Sequence, residues 1–199
     1  MKNIRGTKRI LVSLMIIAVV AASITGGAMA LFTDTETSAA NAFTAGTLDL
    51  ALTNGVPLPF TVSGMAPGDV VYGGLQVSNS GSLDLRYAMT TTADGASTLD
   101  EQLDLTIDVV TGAGVDTIWY TADDVVGEAN VYGPDGVLSS AAIGDSSQGA
   151  QAGDRALAAA GNERLRFKVT LPLTTDDSYQ GATCTVDFVF DAEQTSNNP

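Results

Sequence analysis

From Ala45 onward apolar residues recur at every second position, the period of a half-buried β-strand. Leu48, Leu50 and Leu52 alternate with Thr47, Asp49 and Ala51, and beyond Pro57 and Pro59 come Phe60 and Val62. Met65-Ala-Pro-Gly-Asp69 predicts a turn, because Pro67 presets φ, Gly68 tolerates positive φ and Asp69 can bond the backbone that follows. Val71, Leu75 and Val77 then share one face as far as Asn79-Ser-Gly-Ser82. Leu83, Leu85, Tyr87 and Met89 alternate with Asp84, Arg86 and Ala88, which predicts a hairpin over 69–92.

A further strand is expected where Leu103, Leu105, Ile107 and Val109 alternate with Asp104, Thr106 and Asp108. Between Gly112 and Gly161 the alternation degrades into turn chemistry around two short strand candidates near Ile118 and Val131. Residues 112–161 therefore read as a long, acidic, turn-rich insertion, and Arg155, Leu157 and the neighbouring alanines predict a short helix over 154–160. Order returns with Leu165, Phe167, Val169 and Leu171 alternating with Arg164, Arg166, Lys168 and Thr170. After a turn at Asp176-Asp-Ser178, Cys184, Val186, Phe188 and Phe190 alternate with Thr185, Asp187, Val189 and Asp191. Antiparallel pairing of these last two strands would set Arg and Lys against Asp187 and Asp191, cross-strand pairs worth about 0.2–1 kcal/mol each. The fold expected is all-β, a jelly-roll-like β-sandwich over 44–193, with a frayed tail over 194–199.

The first thirty residues have a different pattern. Lys2, Arg5, Lys8 and Arg9 precede the apolar run from Ile10 to Ala22, and small residues then lead to Ala28-Met-Ala30. That is a signal peptide over 1–30, with Ala28 and Ala30 as the small side chains a signal peptidase accepts. The apolar stretch from Ile10 to Phe32 is also long enough to span a bilayer of about 30 Å. Gly26, Gly27 and the Ala-x-Ala favour cleavage after Ala30, leaving contact with a membrane only through the uncleaved form.

Charge sharpens the picture. The chain of 199 residues carries 9 basic and 23 acidic residues. Four of the basic residues lie in the leader, so the remainder holds 5 basic against 23 acidic, a net charge of −18. Such a surface repels nucleic acid and anionic lipid, whose binding needs Lys and Arg against phosphate. Cys184 is the only cysteine, which rules out an intrachain disulfide, and its phase in the strand pattern predicts a buried small hydrophobe. There is no histidine, which removes a His-based triad, a His-ligated zinc centre and the His-Glu-x-x-His arrangement. A carboxylate pair for glycoside hydrolysis needs a cleft with aromatic sugar platforms, and aromatic residues make up only 6% of the chain. One acidic cluster remains as a candidate ligand set. Asp116, Asp123 and Asp124, with Asp135 and Asp145 further on, suit a hard cation such as calcium, although the spacing matches no EF-hand. The alternative reading is an Asp-rich loop whose side chains cap turns. No cofactor is required by any of this.

Three stretches carry a resemblance. They are Ala30-Leu-Phe-Thr-Asp-Thr-Glu-Thr-Ser38 running into Phe43-Thr-Ala-Gly-Thr-Leu-Asp-Leu50, then Met65-Ala-Pro-Gly-Asp69 with Val77-Ser-Asn-Ser-Gly-Ser-Leu-Asp84, and last Gln180-Gly with Phe190-Asp-Ala-Glu-Gln-Thr195. Together they resemble the TasA and camelysin (CalY) family, whose members are exported through a SipW-type signal peptidase. The resemblance implies a jelly-roll domain and a secreted homopolymer, the extracellular fibre of a biofilm matrix. It also implies that residues 31–43 act as a donor strand entering the next subunit, with Leu31, Phe32, Thr33, Asp34, Ala39 and Phe43 along it. Camelysin-like proteins carry a metalloprotease label, so a surface hydrolase stands as an alternative, as does a monomeric adhesin.

Overall fold

In a computed structural model of the chain, residues 46–54, 65–94 and 97–196 are described. The chain divides into two units, Met1–Thr44 and Ala45–Pro199, and the described residues all belong to the second. Nine strands occur among them: β1 (Leu50–Asn54), β2 (Val70–Asn79), β3 (Leu85–Ala93), β4 (Asp104–Gly112), β5 (Val125–Val137), β6 (Ala142–Ile143), β7 (Arg155–Leu157), β8 (Asn162–Thr170) and β9 (Val186–Gln194). They form two antiparallel sheets. One runs β1-β2-β8-β4-β5. In the other, β3 is central, with β9 along its whole length on one side and β6 and β7 following each other on the opposite side.

The period-two pattern becomes the core of a β-sandwich. Leu75 and Val77 of β2, Leu85, Tyr87 and Met89 of β3, Leu105 and Ile107 of β4, and Leu165, Phe167 and Val169 of β8 are all buried and form one cluster. Each such side chain contributes about 1.5–3 kcal/mol by leaving water. The turn expected at 65–69 forms, with Gly68 at φ +95°, but the Asp69 carboxylate accepts from the preceding Ala66 amide at 2.8 Å rather than from the backbone that follows.

Three expectations are corrected. β2 and β3 do not form a hairpin; they lie in different sheets. The reason is Asn79, 1% exposed, whose Nδ2 donates to the carbonyls of Leu83 (2.8 Å), Leu157 (3.2 Å) and Ala158 (3.1 Å) while its Oδ1 accepts from Gly81 N. This satisfied amide holds a corner that carries the chain across the sandwich. β8 and β9 also do not pair, since β8 sits between β2 and β4 and β9 pairs with β3. Asp187 and Asp191 therefore stand opposite Thr92 and Ala88, and the basic residues of β8 find other partners. The predicted helix over 154–160 is instead β7, because Leu157 enters the core and Arg155 reaches across to the other sheet. Its Nη2 meets Glu163 Oε2 at 2.7 Å and its Nη1 meets Glu128 Oε2 at 2.9 Å, while the Tyr87 hydroxyl donates to Glu163. Burial, with Glu163 alongside, holds the Tyr87 hydroxyl protonated. This polar clasp closes the β7 flank of the sandwich. The stretch 112–161 thus supplies β5, β6 and β7, with Val131 inside β5 and Ile118 in the loop before it.

Candidate functional site

The expected cleavage residues Ala28 and Ala30, and the expected donor residues Leu31, Phe32, Thr33, Asp34, Ala39 and Phe43, lie outside the described residues. The acidic loop does not. Between β4 and β5 its carboxylates bind backbone amides. Asp116 Oδ1 accepts from Ile118 N at 2.8 Å, Asp123 Oδ2 from Val115 N at 2.8 Å and Asp116 N at 3.2 Å, and Asp124 Oδ2 from Tyr120 N at 2.8 Å. The three acids each hold a different turn of the loop, the arrangement short polar side chains favour where the backbone lacks ladder partners. Asp135 lies in β5 and Asp145 follows β6, where its Oδ1 accepts from Ser147 N. Among the described residues no three Asp, Glu or Cys side chains are grouped so as to hold a metal ion.

Asp123 shows how firmly this loop is set. The Thr121 hydroxyl and the amides of Asp116 and Val115 all donate to it, and they depress its pKa from 3.8 to about 2. A group depressed in this way adds stability at any pH above its ordinary range and loses that contribution as pH falls through its folded value. The Asp123 carboxyl, followed by NMR, is therefore expected to titrate with a midpoint near 2. A midpoint near the ordinary 3.8 would mean that these bonds do not hold the loop.

The loop is docked on the outer face of the five-stranded sheet. Tyr120 is buried over Gly74, the Arg164 guanidinium lies 4.2 Å from the Trp119 ring centroid, and Arg166 Nη1 donates to the Thr121 carbonyl at 2.8 Å. Arg166 Nη2 also pairs with Asp108 Oδ2 at 2.8 Å, both side chains being buried. The loop tip is left apolar, with Val115 94% and Ile118 59% exposed.

The feature that sequence reasoning missed is the flank of the sandwich at β9. A free strand edge offers unpaired N–H and C=O groups to another strand, and folds usually blunt such edges. β5 is blunted by repeated register shifts against β4 and by Gly127, Gly133, Pro134 and Gly136; β6 and β7 are two and three residues long; β1 is five. β9 has nine residues, no Gly, Pro or Lys, and unbroken pairing with β3, while its other edge has no strand partner among the described residues. Its inward side chains tell the same story. Val186, Phe188, Phe190 and Ala192 pack on the core but are only partly buried, whereas Leu85, Tyr87 and Met89 of neighbouring β3 are at most 1% exposed. Beneath the first half of β9 a cleft of about 80 Å³ opens between the sheets, lined by Met65, Leu103, Leu171, Tyr179, Val186 and Phe188 among others. Cys184 is half-buried in its wall, and burial, with Asp100 and Asp94 nearby, pushes the thiol up and keeps it un-ionised. Among the described residues no strand covers this flank.

Residues 7–198 match the model of a family described as camelysin metallo-endopeptidase. No curated protein matches the chain.

Proposed function

The chain belongs to the camelysin family, and from that membership we propose that it is a structural subunit of extracellular fibres, joined head to tail by the amino-terminal segment of each copy. The family supports a surface-associated or secreted protein. In the reading proposed here a SipW-type signal peptidase cuts after Ala30, and residues 31–43 of one subunit add to the next as a strand. The observation that carries this reading is the β9 flank. It combines a long edge without Gly, Pro or register shifts, which supplies backbone hydrogen bonds, with half-covered apolar side chains and a cleft, which supply register. A contact between two different surfaces of identical copies need not close on itself, so it propagates.

The peptidase activity in the family description is not carried over in this proposal. A zinc peptidase draws its ligands chiefly from His, of which the chain has none, and the acids of the loop are engaged with backbone amides. Negative-stain microscopy tests the assembly: mature protein is expected to form fibres, and protein lacking residues 31–43 is expected to remain monomeric. Monomers in both preparations, under all salt and calcium conditions, would rule the fibre reading out.

A further inference from the structure

On the outer face of the second sheet the side chains of β3 alternate with those that enter the core, and half of that face is covered. Arg86 is 8% exposed and Ala88 3%, whereas Thr92 further along the same face lies open. The strap 144–154, which connects β6 to β7, passes over Arg86 and Ala88 and leaves a cavity of about 230 Å³ beneath it. On the strap's side the cavity is lined by Asp145, Ser146, Ser147 and Gln148, so the strap rests on the sheet there through polar groups and not through an apolar seal. A space of this size holds several waters, each taking roughly 30 Å³.

The strap is tied within itself and to β9 by separate bonds. Its two ends meet: Asp154 Oδ1 accepts from Asp145 N at 3.0 Å, and Gly144 and Gly153, at φ +68° and +89°, lie against each other. Inside it, Asp145 Oδ1 accepts from Ser147 N and Asp154 Oδ2 from Gln151 N, both at 2.8 Å. A surface loop with joined ends and its own hydrogen bonds is an Ω-loop, a compact unit in itself. Its apex is bound elsewhere. The buried Gly149 N donates to both carboxylate oxygens of Glu193 in β9, at 3.0 and 3.3 Å, and Glu193 also pairs with Arg86. We propose that the strap is a flap latched by Glu193, swinging about Gly144 and Gly153 to uncover Arg86, Ala88 and the cavity. The swing breaks the apex bonds and exposes little apolar surface, so it belongs with the local openings of a fold and not with its global unfolding. Glycine suits both hinge positions because it alone takes positive φ without strain. Since the latch is a residue of β9, the outer face of the sheet and its edge strand are linked through one side chain.

Native-state hydrogen exchange of the whole protein, read amide by amide by NMR in low urea, tests the flap. Gly149 is expected to exchange about a hundredfold faster than the β8 amides that pair with β2 and β4. Urea should hardly change its rate, because the urea slope follows the surface that opening exposes. Exchange of Gly149 at the rate and urea slope of β8 would mean that the strap opens only with the whole domain, and overturns the proposal. Glu193→Gln keeps an acceptor oxygen but removes the charge shared with Arg86, and is expected to speed Gly149 exchange about tenfold. Gln151, bonded inside the strap, is expected to keep its rate in that variant. An unchanged Gly149 would remove Glu193 as the latch. Gly149 and Gln151 speeding up together would show that the strap melts and does not swing, which overturns the flap as well. Each outcome stands apart from the fibre reading.

Discussion

Asp108→Ala is expected to lower the stability of the domain by about 3–5 kcal/mol, because it strands the Arg166 guanidinium in the sheet without its counter-charge. The two residues are each 7% exposed and their side chains meet at 2.8 Å. Asp108 does a second job through its other oxygen, which accepts from Asn130 N at 2.9 Å where Asn130 holds φ at +56°. Removal of the carboxylate thus leaves a buried cation and an unpaired amide together. Arg166 in turn anchors the acidic loop through the Thr121 carbonyl, so the loop is expected to loosen with it. Urea unfolding monitored by Trp119 fluorescence measures both effects. The double variant Asp108→Leu with Arg166→Met should recover most of the loss, since an apolar pair of similar volume replaces a buried ion pair at little net cost. A single variant within 1 kcal/mol of the parent would mean that the pair is not isolated from water.

Gly74→Val is expected to cost about 3 kcal/mol, at the upper end for inserting methyl groups into a packed site. A Cβ on Gly74 would lie 2.0 Å from Tyr120 Cδ1 and 2.5 Å from the Leu165 carbonyl oxygen. The first neighbour could rotate away only by leaving its buried position, and the second is backbone of β8. Val has a higher β-propensity than Gly, so a simple propensity argument predicts stabilisation in mid-strand. The sign of the measured change therefore separates close packing of the loop from strand propensity, and a Tyr120→Ala background, which empties the contested space, should reduce the penalty.

Much of the sandwich was legible in the sequence because a two-sided strand writes its burial into alternate residues. Leu85, Tyr87 and Met89, or Leu165, Phe167 and Val169, need no neighbours to show which face turns inward. Alternation says nothing about which strand lies alongside. The same pattern fits a 69–92 hairpin and a corner across the sandwich, and only the buried amide of Asn79, bonded to Leu157 and Ala158 far along the chain, distinguishes them. The segment at 154–160 was misread because local helix propensity in Arg155, Leu157 and the alanines was outweighed by one core contact and one pair of ion pairs. Gly73-Gly74 in mid-strand was the available signal for a close approach, since glycine there weakens a strand unless something packs against it.

The candidate site divides along the same line. The acids of the loop could be named from sequence, and so could their capacity to cap turns; their commitment to amides, and Asp123's depressed pKa, required the folded geometry. What the sequence determined by itself is the all-β class, the inward faces of the strands, the strong negative charge and the lack of histidine chemistry, because each is a property of single residues or of their spacing along one strand. That β9 has no strand partner on its outer edge among the described residues was decided only by the tertiary structure. Being an edge, half-covering a core or bordering a cleft depends on which strands lie alongside, and that is fixed by contacts between residues distant in the chain rather than by anything written within Val186–Gln194.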